Sequence, residues 1–426
     1  MSDYKEMWTS LGLDLKGHDA LLSVLGNAYS DLFLSQKDRP EGMKYFDFVM
    51  GEVHGLRIRE LMDAKAQGRV VIGSYCVFVP EELVLAVDGV AVGLCAGAEF
   101  NFEAAETLLP RNTCSLIKAA FGFKLGKVCP YLEASDVVVG ENTCDGKKKA
   151  YEILAPLVKD LYVMDLPQTK SESGKALLKA EYRKFIAKLE KVSGKKITVS
   201  SLKKAVETVN AKRNAVKRLA AIRAADPAPI SGLDALLVNQ VFFHDDPVRF
   251  TDSVNKLCDE LELRVKKGTG VFPKGTTRVV ISGCPMAVPN WKVPVLVESS
   301  KAVIVGEESC VGERGSRWLT EVKGNTVDEI LDSITERYFN IDCAVFTPNP
   351  SRCDYVKEMT KKLHAQGVIH YSLQFCQPYI MESGPVEKEL EKSGIPTLRL
   401  ETDYSQEDTG QLKTRIEAFV ERLKKK

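Results

Sequence analysis

Seven times in this chain a short apolar, β-branched run ends within a few residues on a cysteine. The runs are 69 to Cys76, 90 to Cys95, 137 to Cys144, 278 to Cys284, 302 to Cys310, 344 to Cys353 and 368 to Cys376. In an open parallel sheet, the loops after the carboxyl ends of the strands share one edge, and that edge binds ligands. Thiols gathered there read as a metal site. Cys76, Cys95 and Cys144 fall on this edge in the first half of the chain, and Cys284, Cys310 and Cys376 in the second. Cys114, in PRNTCS, stands where a helix begins, and a helix amino end helps hold a thiolate. By the same rule Cys129 and Cys343 each precede a strand and belong to the opposite edge, while Cys258 lies inside a helix.

The donor set narrows the chemistry. A free cysteine is often a small buried hydrophobe, so one alone carries little meaning. Six or seven at equivalent loop positions are harder to read as filler. No histidine lies near these loops in sequence, and neither a CxxC pair nor zinc-ribbon spacing occurs, which favours iron–sulfur over a mononuclear site. His18, His54, His244, His364 and His370 read as surface or core residues. Ferredoxin spacings are missing too, so a compact electron-transfer module is not expected. Neither GxGxxG after a strand nor GxxxxGK[ST] is present, which leaves no nucleotide-binding signal. Carboxylates and a lysine flank the ligand loops: Glu141, Asp145, Lys147, Glu307 and Glu308 are candidate proton donors, with Glu141, Glu307 and Glu308 the expected catalytic groups.

The elements that position these residues follow from periodicity. At 426 residues the chain exceeds one ordinary core, and roughly two to three domains are expected. Residues 1–66 carry helical spacing, with Phe46, Val49, Val53, Leu56 and Leu61 recurring at threes and fours. Strands and helices then alternate over 67–167, which predicts a parallel, doubly wound α/β domain. Residues 168–275 are Lys-rich and helical, and are read as a connector with solvated lysine faces. Alternation resumes over 276–426 with RVVISG, AVIVG, CAVFTP, VIHYSLQ and TLRLE as strands, giving a second α/β domain. Thr326 and Glu329 form a capping box at the start of one of its helices.

Charge and hydropathy exclude some classes. A formal net charge of +1 offers no basic field for nucleic acid. No run of roughly 18 apolar residues is present, so no membrane span is expected. No secretory leader is visible at the start, and a cytoplasmic setting with reduced thiols is expected.

Several motifs together resemble the 2-hydroxyacyl-CoA dehydratase D-component family over nearly the whole chain: PEEL (80–83), Cys114-Ser115, TCDGKKK (143–149) and FCQPY (375–379). The resemblance implies two α/β domains and three cysteines holding a four-iron cubane, which fall here on Cys114, Cys144 and Cys376. LPRNTCSLIKAAFGFKLGKVCPY and VVVGENTCDGKKKAYE, with added thiols at Cys76, Cys95 and Cys310, are similar to the double-cubane branch of that family. That branch implies two 4Fe-4S cubanes bridged by sulfide, three cysteines to each, in a homodimer. Cys76, Cys95 and Cys310 are the expected second set by the strand-end rule, with Cys129 and Cys284 in reserve. The implied partners are an ATP-hydrolysing iron–sulfur activase and a small-molecule substrate, and the implied activity is that of an iron–sulfur reductase component. A single-cubane dehydratase subunit and an electron-storage protein without a substrate are the alternatives.

Overall fold

The computed structural model describes residues 4–425, so the first three residues of the predicted N-terminal helical segment lie outside it. Two four-stranded parallel sheets organise the chain. The first contains β1 (Val71–Ser74), β2 (Val90–Gly93), β3 (Val137–Glu141) and β4 (Leu161–Met164) in the order β2-β1-β3-β4. The second contains β5 (Thr277–Gly283), β6 (Ala302–Glu308), β7 (Gly367–Leu373) and β8 (Thr397–Thr402) in the order β6-β5-β7-β8. β5, β6 and β7 are buried along their whole length. Sheets covered on both faces require such unbroken apolar runs, which is why these segments are rich in Val and Ile.

The strand orders decide where the chemistry sits. In each sheet the chain starts on an inner strand, crosses to one side, and then jumps to the other. The direction of winding therefore reverses between β1 and β3 and again between β5 and β7. Such switch points open a crevice at the strands' carboxyl ends. Cys76 and Cys144 follow the two strands at the first reversal, and Cys284 and Cys376 follow the two at the second.

The helices between the sheets tie them into one body. Ser171, Thr198, Ser231 and Asp246 cap the amino ends of Glu172–Ser193, Val199–Ile222, Gly232–Val241 and Pro247–Lys266 through their side-chain oxygens. Leu178, Tyr182 and Phe185 pack with Val139 and Met164 of the first sheet. Leu233 and Leu236 share a core with Ile304 of the second, and that same core reaches Val71 and Val138. The lysine faces of these helices are not uniformly solvated. Lys212 and Arg213 are buried and bind Glu81 and Glu82 of the PEEL segment. The capping box of Thr326 and Glu329 is present as expected.

One predicted strand is absent. The CAVFTP run forms a loop between helices Val327–Phe339 and Pro350–Lys362, so the second sheet has four strands and not five. Val345 and Phe346 are buried side by side, with the Phe346 ring against Phe78 and Phe339. Alternating strand geometry would have turned one of the two away. Pro348 and Pro350 also lack the amide donors that a ladder needs. Among the described residues, no helix is long and apolar enough to cross a membrane.

Candidate metal centre

A cavity of about 1460 Å³ opens between the carboxyl edges of the two sheets, and nine of the eleven cysteines line it. Only Cys129 and Cys258 do not. The six expected ligands, Cys76, Cys95, Cys114, Cys144, Cys310 and Cys376, are all on its wall, together with Cys284, Cys343 and Cys353. Every cysteine is a free thiol. Among the described residues no three His, Cys, Asp or Glu side chains converge tightly enough for a single metal ion. The thiols are instead spread around a space large enough for a polynuclear group.

Three of them share one local device. Cys114, Cys144 and Cys376 are the N-cap residues of helices Ser115–Leu125, Asp145–Leu154 and Gln377–Lys392. The first-turn amides of a helix have no intrahelical partner and present partial positive charge. The Lys147 amide donates to Cys144 Sγ at 3.4 Å, and amides of the first turns also face Cys114 and Cys376. Each helix therefore aims its positive end at a sulfur. The side chains of Cys114 and Cys376 are hydrogen-bond neighbours, and Cys376 also meets Cys284.

Cys284 is set by the glycine before it. Gly283 has φ of +134°, and a Cβ there would stand 2.0 Å from the Tyr371 carbonyl oxygen. Only glycine lets β5 end so close to β7. The Leu373 amide then donates to Cys284 Sγ at 3.4 Å.

A second group forms around Cys76 and Cys310, whose side chains are close neighbours. The neighbouring Cys76 thiol, with Arg314 beside it, brings Cys310 down to about 6 despite burial. Cys76 moves the opposite way, well above the ordinary thiol range. Arg314 Nη1 lies 3.5 Å from Cys310 Sγ and also donates to the Tyr379 hydroxyl. Its Nε and Nη2 bind Glu308, and Nη2 reaches the Gly283 carbonyl. Cys95 behaves differently: its thiol donates to the Tyr75 carbonyl at 2.9 Å, and burial raises it to about 12.

The expected acid–base groups separate. Glu141 is fully buried, neither carboxylate oxygen has a well-formed hydrogen bond, and Lys147 Nζ stands 3.9 Å away. Desolvation raises it to about 7, against the pull of Lys147. An uncompensated buried carboxylate is costly and holds its proton. Glu307 does not line the cavity. It forms a buried pair with Arg223 at 2.5 and 2.6 Å. Glu308 is gripped by Arg314 and Arg352 and by the Ser282 hydroxyl, and the two guanidiniums outweigh its burial to hold it low. Asp145 and Lys147 both line the cavity, Asp145 exposed on the first helical turn.

Sequence reasoning passed over Cys343, Arg314 and Tyr379. Arg314 follows Cys310 by four residues, a spacing that could have flagged it, whereas Cys343 was assigned to the wrong edge by the strand that does not form. Cys129 caps a short helix, Pro130–Ala134, away from the cavity, and burial raises its thiol to about 11. His244 does line the cavity, though burial lowers it to about 4 and leaves it neutral.

Comparison with known proteins adds a second line. A family model described as "2-hydroxyglutaryl-CoA dehydratase, D-component" matches residues 76–423. YjiM of Escherichia coli (strain K12), provisionally named a dehydratase subunit, is 34% identical over 366 residues, covering 85% of this chain and 94% of that protein. The beta subunit of (R)-phenyllactyl-CoA dehydratase from Clostridium sporogenes is 28% identical over 84% of this chain and 92% of its own length. One of the subunits of benzoyl-CoA reductase from Thauera aromatica is 20% identical over 81% of this chain and 87% of its own. Dehydratase and reductase subunits are thus both similar to it.

Proposed function

Because the chain belongs to the 2-hydroxyglutaryl-CoA dehydratase D-component family, we propose that it is the catalytic iron–sulfur component of a two-component reductase, holding two 4Fe-4S cubanes bridged by sulfide. One observation carries this reading: nine thiols line a single cavity, and among them Cys114, Cys144 and Cys376 each cap a helix while Cys76 and Cys310 are neighbours. A protein with one cubane would use three. The strand-end rule names Cys95 as the third thiol of the second group. An all-thiol donor set is what iron–sulfur clusters require. When bound, the cluster would supply low-potential electrons to a small-molecule substrate in the same cavity.

The chain's own residues then have separable tasks. Three helices begin at Cys114, Cys144 and Cys376 and turn their positive ends toward the sulfurs, with a backbone amide donated to Cys144. Arg314 places a fixed cation beside Cys310, where buried charge and hydrogen bonding tune a cluster's potential. Glu141, buried behind the cavity and 3.9 Å from the cavity-lining Lys147, is the group suited to keep a proton and pass it toward Lys147. Glu307 and Glu308 hold arginines in place. Electrons would come from a separate ATP-hydrolysing iron–sulfur activase, and the working unit would be a homodimer.

Anaerobically purified protein tests this directly. About eight irons with matching acid-labile sulfide per chain are expected; about four would favour a single-cubane dehydratase, and none would sink both. ATP turnover with the activase that rises on adding substrate separates a reductase from an electron store. A mass in solution twice that of the chain tests the dimer.

A further inference from the structure

The second thiol group has a better third member than the strand ends provide. We infer that Cys343 completes the set begun by Cys76 and Cys310, in place of Cys95, a proposal that rests on the double-cubane reading above.

The loop of Cys343 is folded onto the loop of Cys76. Phe346, three residues after Cys343, packs edge-on against Phe78, two residues after Cys76, with ring centroids 6.1 Å apart. The Thr347 amide donates to the Gln168 carbonyl, and Asn349 Nδ2 donates to the carbonyl of Cys343 itself at 3.1 Å. The backbone is thus fixed on the carboxyl side of the thiol. Cys343 is 6% exposed and lines the cavity. Its Sγ lies 3.8 Å from the Tyr379 hydroxyl, which receives Arg314 Nη1, and the same nitrogen lies 3.5 Å from Cys310 Sγ. Cys310 and Cys343 therefore stand on two sides of one Arg314–Tyr379 unit. Cys76 is the neighbour of Cys310 and lines the same cavity. Cys95, by contrast, turns its thiol to the Tyr75 carbonyl.

The test compares wild type with Cys343→Ser, Cys95→Ser and Cys353→Ser, reconstituted anaerobically as full chains. Iron, acid-labile sulfide and the electron paramagnetic resonance spectrum of the reduced protein are read. Wild type should hold about eight irons, Cys343→Ser about half of that with an altered spectrum, and the other two should match wild type. Cys343→Ser with undiminished iron and spectrum overturns the assignment while leaving the double cubane intact, and so does loss of iron in Cys95→Ser alone. Wild type with about four irons overturns this assignment together with the reading beneath it. Should Cys343→Ser not fold, alkylation of wild type followed by mass spectrometry decides. Cys343 should react with iodoacetamide only after iron is chelated; equal labelling before and after overturns the proposal.

Discussion

Arg314 and Glu308 form a buried ion pair, Nε to Oε1 at 2.7 Å, with side chains 1% and 0% exposed. The pair lies directly beneath Cys310. Glu308 is also bound by Arg352 at 3.0 Å, so one carboxylate joins strand β6 to the Arg314 turn and to helix Pro350–Lys362, whose first turn lines the cavity.

Removing one member of such a pair strands the other without compensation. Arg314→Gln should destabilise the metal-free protein by about 3–5 kcal/mol, measured as a shift in denaturant midpoint. Arg314→Lys keeps the charge but loses the fork that spans Glu308, Tyr379 and Cys310, and should recover only part of the loss. Equal stability of wild type and Arg314→Gln would remove the pair from any structural role.

Glu141 gives a pH signature. Burial raises its carboxyl from 4.5 to about 7, so the folded state binds its proton more tightly than the unfolded state does. Its contribution to stability is complete below pH 4.5 and is lost as pH rises to about 7. A shift of this size corresponds to about 3 kcal/mol. Glu141→Gln should flatten that part of the stability profile of metal-free protein. A profile unchanged by the substitution would show that Glu141 titrates alike in the folded and unfolded states.

Serine separates the capping role of a cysteine from its ligand role. It is a good N-cap, so Cys144→Ser should keep helix Asp145–Leu154 with stability within about 1 kcal/mol of wild type while losing iron. Circular dichroism and iron analysis on the same sample check both halves. Iron retained in full by Cys144→Ser would exclude it as a ligand.

Gly283 is the narrowest steric point. A methyl group there meets the Tyr371 carbonyl at 2.0 Å in a backbone conformation of φ +134°. Gly283→Ala should cost roughly 1–3 kcal/mol of strain, more if β5 and β7 must part. Hydrogen exchange at the Cys284 and Leu373 amides should rise with it.

Much of this was legible in the residues. A β-branched run followed by a turn and a thiol specifies a buried parallel strand with its cysteine on the ligand edge, and six of the seven runs behaved so. The seventh did not, because Val345 and Phe346 gain more from packing against Phe78 and Phe339 than from a sheet position that prolines disfavour. That single exchange moved Cys343 from the far edge to the cavity wall. The pairs of Glu307 with Arg223 and of Glu308 with Arg314 and Arg352 were not legible. Two of the three cross from β6 to arginines distant in sequence, and local spacing carries no trace of such contacts.

The division of the cavity between two sheets has a consequence for how the protein matures. Cys76, Cys114 and Cys144 are contributed by the first half of the chain, while Cys310, Cys343 and Cys376 come more than 150 residues later. Contacts this distant along the chain form late in folding, and a site absent from the unfolded chain cannot bind beforehand. A group held by thiols from both sheets can therefore enter only after the two halves have met, and the nascent first half carries its thiols bare until the second arrives.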